Sequence, residues 1–161
     1  MDRVGWQILG EELQSDRRVL EDAVVKARAR LAHSVPGHLE ACGFELHRLY
    51  NVLEKTFERI CTGFENHFER RGDFHERLIE RMTLALAGVR PAYLPAVERD
   101  GVRELKGFRH LFRHAYDLKL RGDRLAELVG IAERVVAAFP EWNRVFLEAV
   151  AAEQGWAGRA A

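Results

Sequence analysis

Between residues 37 and 69 the chain places apolar side chains at alternating three- and four-residue steps: Leu39, Cys42, Leu46, Leu49, Leu53, Phe57, Ile60 and Phe64. With 3.6 residues per turn these positions share one face of an α-helix, and a stripe sustained this long demands partners to bury it. Four further stripes supply them. Leu9, Leu13, Leu20, Val24, Ala27 and Leu31 mark a helix over residues 6–33, which Ser34-Val35-Pro36-Gly37 stops. Leu78, Met82 and Leu86 mark a shorter one, with Asp73 as its N-cap after the Arg71-Gly72-Asp73 turn and an end near Gly88. Val102, Leu105, Phe108, Phe112 and Ala115 define a fourth from Arg99 to Leu118. A fifth runs through Leu125, Leu128, Ile131, Val135 and Ala138 after the Gly122-Asp123 turn, with Pro140 expected to kink or restart it. No segment alternates with period two. The expectation is an all-α, up-and-down bundle of four to five helices, with residues 1–161 forming one domain.

Composition narrows the chemistry more than the fold. Apolar residues make up 47% of the chain, enough for a core, and the 31% that are charged have helix surfaces to occupy. Lysine plus arginine and aspartate plus glutamate both number 25, so any contact with nucleic acid must come from a local patch. Lysine occurs only at Lys26, Lys55, Lys106 and Lys119; the remaining positive charge sits on arginine forks suited to pairing with phosphate or carboxylate. Cys42 and Cys61 lie within apolar helical patterns and read as small buried hydrophobes in a reducing compartment. No apolar stretch approaches the roughly 20 residues of a membrane span, and the charged start Met1-Asp2-Arg3 precedes no signal-peptide core, so a cytoplasmic location is expected.

The densest chemistry lies in Phe108-Arg109-His110-Leu111-Phe112-Arg113-His114-Ala115-Tyr116, where two arginines, two histidines and a tyrosine crowd one helical segment. His110 and His114 have the spacing of a two-histidine metal pair, but Leu111 stands where the helical zinc motif has glutamate. No glutamate in the chain is followed three residues later by histidine, as a di-iron bundle requires. Neither a metal nor a cofactor is expected. At about 100° per residue, Arg109 and His114 sit roughly 140° apart around the helix, Tyr116 nearly above Arg109, and His110 below His114.

Arg109, four intervening residues, His114 and then Tyr116 match the R-x4-H-x-Y motif, and the segment resembles the HepT-like toxins of the HEPN family. The long helix containing Leu49-Tyr50-Asn51-Val52-Leu53-Glu54, the Val89-Arg90-Pro91 stretch before the motif and the helical tail behind it extend the resemblance over most of the chain. It implies a metal-independent endoribonuclease in which a ribose 2′-hydroxyl attacks the adjacent phosphate. Histidine titrates near neutrality and can carry protons, whereas arginine keeps its charge and can brace phosphate oxygens with parallel hydrogen bonds. His114 takes the first role and Arg109 the second, with His110 and Arg113 as further candidates for substrate contact.

The resemblance also implies a homodimer whose two motif helices share a cleft, and a partner nucleotidyltransferase antitoxin that attaches AMP to Tyr116. The alternative is a non-catalytic HEPN-like subunit that docks, or presents substrate to, a nucleotidyltransferase. Tyr50 and Glu54, one turn apart, either line the cleft or bridge helices, and bridging is preferred. His33, His38, His47, His67 and His75 share no spacing and are expected to be solvated or internally satisfied. Arg70, Arg71, Arg99, Arg103, Lys119 and Arg121 are candidates for a basic rim.

Overall fold

The computed structural model describes residues 1–65, 74–114 and 119–156, with the side chain of His114 left out. Among these residues the chain forms five α-helices and no strand: α1 Arg3–Ala32, α2 His38–Phe64, α3 Phe74–Met82, α4 Arg99–His114 and α5 Gly122–Glu153. The all-α bundle read from the sequence is what the structure has. α2 packs against each of the other four helices, α1 and α4 also lie on α5, and α3 lies on α4. Its apolar stripe explains that central place, because Leu46, Leu49, Leu53, Phe57 and Ile60 are all buried in one cluster shared by all five helices. Burial at roughly 25 cal/mol per Å² of apolar surface makes this shared face the main driving force for assembly.

Polar ties fix the register of the outer helices on α2. Asp16 of α1 accepts from Thr56 Oγ1 at 2.7 Å and from Arg59 Nη1 at 2.5 Å. Arg48 Nη1 reaches both Asp22 of α1 and Glu45 at 2.9 Å, and Asp22 lies below the ordinary carboxylate range because Lys26 and Arg48 donate to it. α1 meets α5 through Trp6 Nε1, which donates to the Leu147 carbonyl at 3.2 Å, and through the Arg28–Glu133 pair. Cys42 and Cys61 are buried and free, and burial raises their thiols to about 11 and about 12. Both are therefore inert hydrophobes at neutral pH.

Several boundaries differ from the periodicity. α1 begins at Arg3, where Asp2 caps the Gly5 amide at 2.7 Å, three residues ahead of the first expected position. α2 stops at Phe64 because Glu65 turns to extended backbone, and residues 66–69 of the expected helix lie outside the described residues. α3 ends at Met82 and not near Gly88. What the stripe read as one more turn is a tight loop, closed by the Leu86–Arg90 bridge and by Gly88 at a φ of 71°. Pro140 neither ends nor restarts the last helix, since α5 runs on through it. The proposed Asp73 cap lies outside the described residues.

The loop after α3 is organised by Arg90, whose side chain is 0% exposed and whose donors are all directed inward. Its Nε donates to Glu65 Oε1 at 2.8 Å, Nη1 to the carbonyls of Leu84 and Pro91 at 3.0 Å, and Nη2 to the Arg81 carbonyl at 2.9 Å. Arg81 holds the second oxygen of Glu65. The amides of Tyr93 and Leu94 both donate to the Met82 carbonyl at 2.9 Å, so the end of α3 is closed by the strap that leads, through a 3-10 turn at Ala96–Glu98, into α4. A buried ion pair of this kind strongly resists loss of one member. Arg90→Ala is expected to lower unfolding stability by about 3 kcal/mol or more, read from urea denaturation. A loss below about 1 kcal/mol, the ceiling for an ordinary surface pair, would remove the strap's structural role.

Candidate active site at the interface of α2 and α4

α4 is strongly amphipathic: Val102, Leu105 and Phe108 are buried, and Phe112 packs half-buried against the core. Phe108 and Phe112 stack at 5.6 Å and lie over Gly43 of α2, where an added Cβ would come within 2.7 Å of the Phe112 ring. Glycine at that position lets the two helices approach, which brings the polar residues of α4 onto a polar stripe of α2. That stripe is His47, Tyr50, Asn51 and Glu54, whose steps of three and four place them along one side of the helix.

Arg109 reaches across to this stripe. Its Nε donates to Asn51 Oδ1 at 2.7 Å, its Nη2 lies 3.4 Å from Glu54 Oε1, and its guanidinium carbon sits 5.8 Å from the Tyr50 ring centroid. The arginine side chain is 13% exposed and that of Glu54 11%. Tyr50 is fully buried, its hydroxyl has no hydrogen-bond partner among the described residues, and burial with the Glu54 charge drives its ionisation far above the ordinary range. It acts as a neutral aromatic floor for the guanidinium.

Asn51 fixes more than the arginine. A guanidinium only donates, so the atom it meets must be the amide oxygen, and the amide nitrogen then faces His47 Nε2 at 2.9 Å. Because that nitrogen also only donates, Nε2 must accept, and the neutral imidazole carries its proton on Nδ1. His47 is held below the ordinary value of 6.5, first by burial and then by the charges of Arg109 and Arg113. Its Nδ1 is buried without a hydrogen-bond partner among the described residues, and its ring lies 5.8 Å from that of Phe112. Glu54 also faces α3: Oε2 is 3.0 Å from His75 Nδ1, but the pair lacks hydrogen-bond alignment and is held by charge when the imidazole is protonated.

The residues singled out from the sequence are thus only partly gathered. Arg109 is at the centre of a built cluster, while His110 and Arg113 are exposed on the same helix. His114 closes α4, its side chain lies outside the described residues, and so does the whole of Tyr116. Glu54 does bridge helices, as preferred from its spacing, and lies beneath Arg109 in doing so. His47 and His75, read as scattered polar residues, both belong to the cluster's surroundings, and Asn51 was missed as a ligand of Arg109. The three- and four-residue spacing of His47, Asn51 and Glu54 marks a shared face of α2 but not its contact with Arg109.

The expected basic rim is found only in part. Arg103 pairs with Glu76 and Glu80, Lys106 with Glu76, Arg99 with Glu80 and Asp100, and Arg121 with Asp123. Glu76 is held below its ordinary range by Lys106 first and Arg103 next. Arg99, Arg103 and Arg121 of the expected rim are thus committed to neighbouring acids, whereas Lys119 is exposed. Arg70 and Arg71 lie outside the described residues. Among the described residues no group of three metal-binding side chains converges, and no helix is long and apolar enough to cross a membrane.

A histidine whose folded pKa is depressed disfavours the protonated fold, so stability falls as pH drops below 6.5 and levels off once the folded pKa is passed. An NMR titration of His47 is expected to give a midpoint below 6.5 that rises in Arg109→Ala, where one repelling charge is gone. A midpoint at or above the ordinary value in the wild-type protein would contradict this account of its environment.

A family model described as HepT-like protein matches residues 41–150, from the first turns of α2 nearly to the end of α5, and so includes His47, Asn51, Glu54, Arg109 and Arg113. Neither the curated proteins nor the solved structures contain a match. The matched span covers well over half of the chain and holds both helices that build the site, so this chain belongs to the HepT-like protein family, a HEPN-type helical domain.

Proposed function

We propose that the protein is the toxin of a type VII-like HEPN and nucleotidyltransferase pair, acting as a metal-independent endoribonuclease. The observation that carries this reading is the state of Arg109, a guanidinium anchored along one edge by Asn51 and Glu54 within a family-matched helix pair. An anchored guanidinium suits a phosphate better than a mobile one, because less side-chain freedom is lost on binding. In the proposed reaction the ribose 2′-hydroxyl attacks the adjacent phosphorus, and the bond to the 5′-oxygen breaks. The hydroxyl proton is removed and a proton is returned to the leaving oxygen. His114 is assigned this proton traffic and Arg109 the charge building on the phosphorane oxygens. His110 and Arg113, exposed on α4, are assigned to the flanking RNA backbone.

A homodimer belongs to the same proposal. Arg109 and His114 lie roughly 140° apart around their helix, and two motif helices facing a shared cleft would bring the arginine of one subunit and the histidine of the other to one phosphate. AMP attached to Tyr116 by the antitoxin would set negative charge near Arg109 and exclude RNA phosphates.

A second reading, the non-catalytic docking subunit, has one observation in its favour: Arg109 is drawn back over Tyr50 toward a carboxylate instead of standing out in solvent. Both readings meet in one assay, cleavage of RNA in the presence of chelator. Under the nuclease reading the wild-type protein cleaves, while His114→Ala and Arg109→Ala each lose about 100-fold or more. Equal cleavage by wild type and His114→Ala would rule out the assigned site. No cleavage at all, with a nucleotidyltransferase still bound by a variant lacking both side chains, would select the docking subunit.

A further inference from the structure

Arginine offers two edges for parallel hydrogen bonds, one formed by Nε and Nη2 and one by Nη1 and Nη2. In Arg109 the first edge is committed to α2, with Nε on Asn51 and Nη2 toward Glu54, whereas Nη1 makes no hydrogen bond to a described residue. The short bond is the one to Asn51, at 2.7 Å, and the contact to the carboxylate is long, at 3.4 Å. A neutral amide oxygen therefore makes the shorter of the two contacts and sets the direction of the guanidinium, while Nη1 keeps its donors free of described partners. A carboxylate at the same distance would form a charge-assisted bond about twice as strong as a neutral one and would compete with an incoming phosphate.

We propose that Asn51 is a positioning residue for the ribonuclease site, holding the inner edge of Arg109 so that the outer edge is presented to the scissile phosphate, with His47 fixing the amide of Asn51. This rests on the nuclease reading of Arg109. His47 enters as an acceptor only. Its bare Nε2 receives the amide proton of Asn51 at 2.9 Å, and so prevents the amide from turning its nitrogen toward the guanidinium. Its Nδ1 proton lies on the buried side of the ring, and the groups that face the ring are Arg109, Arg113 and Phe112. The chain of atoms runs from His47 through Asn51 to Arg109, and each step is dictated by which groups can donate and which can accept.

The experiment has a kinetic and a spectroscopic arm. Cleavage of an RNA oligonucleotide with chelator present is compared for wild type, Asn51→Leu, His47→Gln, His47→Leu and Arg109→Ala. Asn51→Leu is expected to lower kcat/KM by about 10- to 100-fold, the scale of a small misplacement of a catalytic group. His47→Gln, whose side-chain oxygen can accept from Asn51, is expected to retain more activity than His47→Leu, and that conservative rescue is not expected of a merely structural residue. In the same proteins, ring-nitrogen NMR is expected to show the His47 proton on Nδ1 in the wild type and to lose that fixed pattern in Asn51→Leu. Wild-type activity that is abolished in Arg109→Ala but unchanged in Asn51→Leu would overturn the positioning role alone. Activity unchanged in Arg109→Ala would overturn the nuclease assignment itself. A proton found on Nε2 of His47 in the wild-type protein would overturn the proposal whichever variants fold.

Discussion

The buried pair of Arg90 and Glu65 is the interaction on which the arrangement of the site depends. Glu65 ends α2, Arg90 lies in the loop that follows α3, and the same guanidinium caps carbonyls at the end of α3. Three pieces of chain are therefore pinned to one point, and α4 departs from that point within a few residues. Two charges removed from water are stable only when nearly every donor and acceptor is matched, and Arg90 meets that condition with one carboxylate and three carbonyls. Such a junction tolerates little displacement, so the start of α4 is set with respect to the end of α2.

From that junction α4 runs back along α2, and the contact tightens at Gly43, where Phe112 occupies the space a side chain would fill. Arg109 lies between the two fixed points, at the level of Asn51 and Glu54. Its position is thus a consequence of packing at both ends, while its orientation comes from the amide of Asn51. The apolar and polar sides of α4 do separate work: Val102, Leu105 and Phe108 place the helix, and Arg109 uses that placement.

The helices and their burial were legible in the sequence because apolar periodicity is a direct record of which face meets the core. Leu46, Leu49, Leu53, Phe57 and Ile60 were read as one stripe and form one buried face. The end of α3 was not legible, since Leu86 continues the period while its amide bonds to Arg90 in a loop; a buried arginine that competes for the last carbonyls leaves no mark in a hydropathy pattern. At the site, Arg109 could be picked out from its neighbours on one segment. Asn51 and His47 could not be assigned to it in the same way, because the contact joins residues far apart in sequence and depends on the approach that Gly43 permits.

In a chain of zero formal net charge, the ion pairs of α4 are unevenly partitioned along the helix. Toward the start of the helix, Arg99, Arg103 and Lys106 are matched by Glu76 and Glu80 of α3, so their fields cancel over a few ångströms. α3 is short, and the acids it contributes lie opposite only that part of α4. Beyond it, Arg109 pairs with Glu54 of α2 at 3.4 Å and donates to the neutral Asn51 at 2.7 Å, and Arg113 is exposed. The depression of His47 comes first from burial, and the charges of Arg109 and Arg113 add to it. Under the proposed nuclease reading, recognition of RNA rests on the geometry around Arg109, since the cations at the start of α4 are committed to acids of α3.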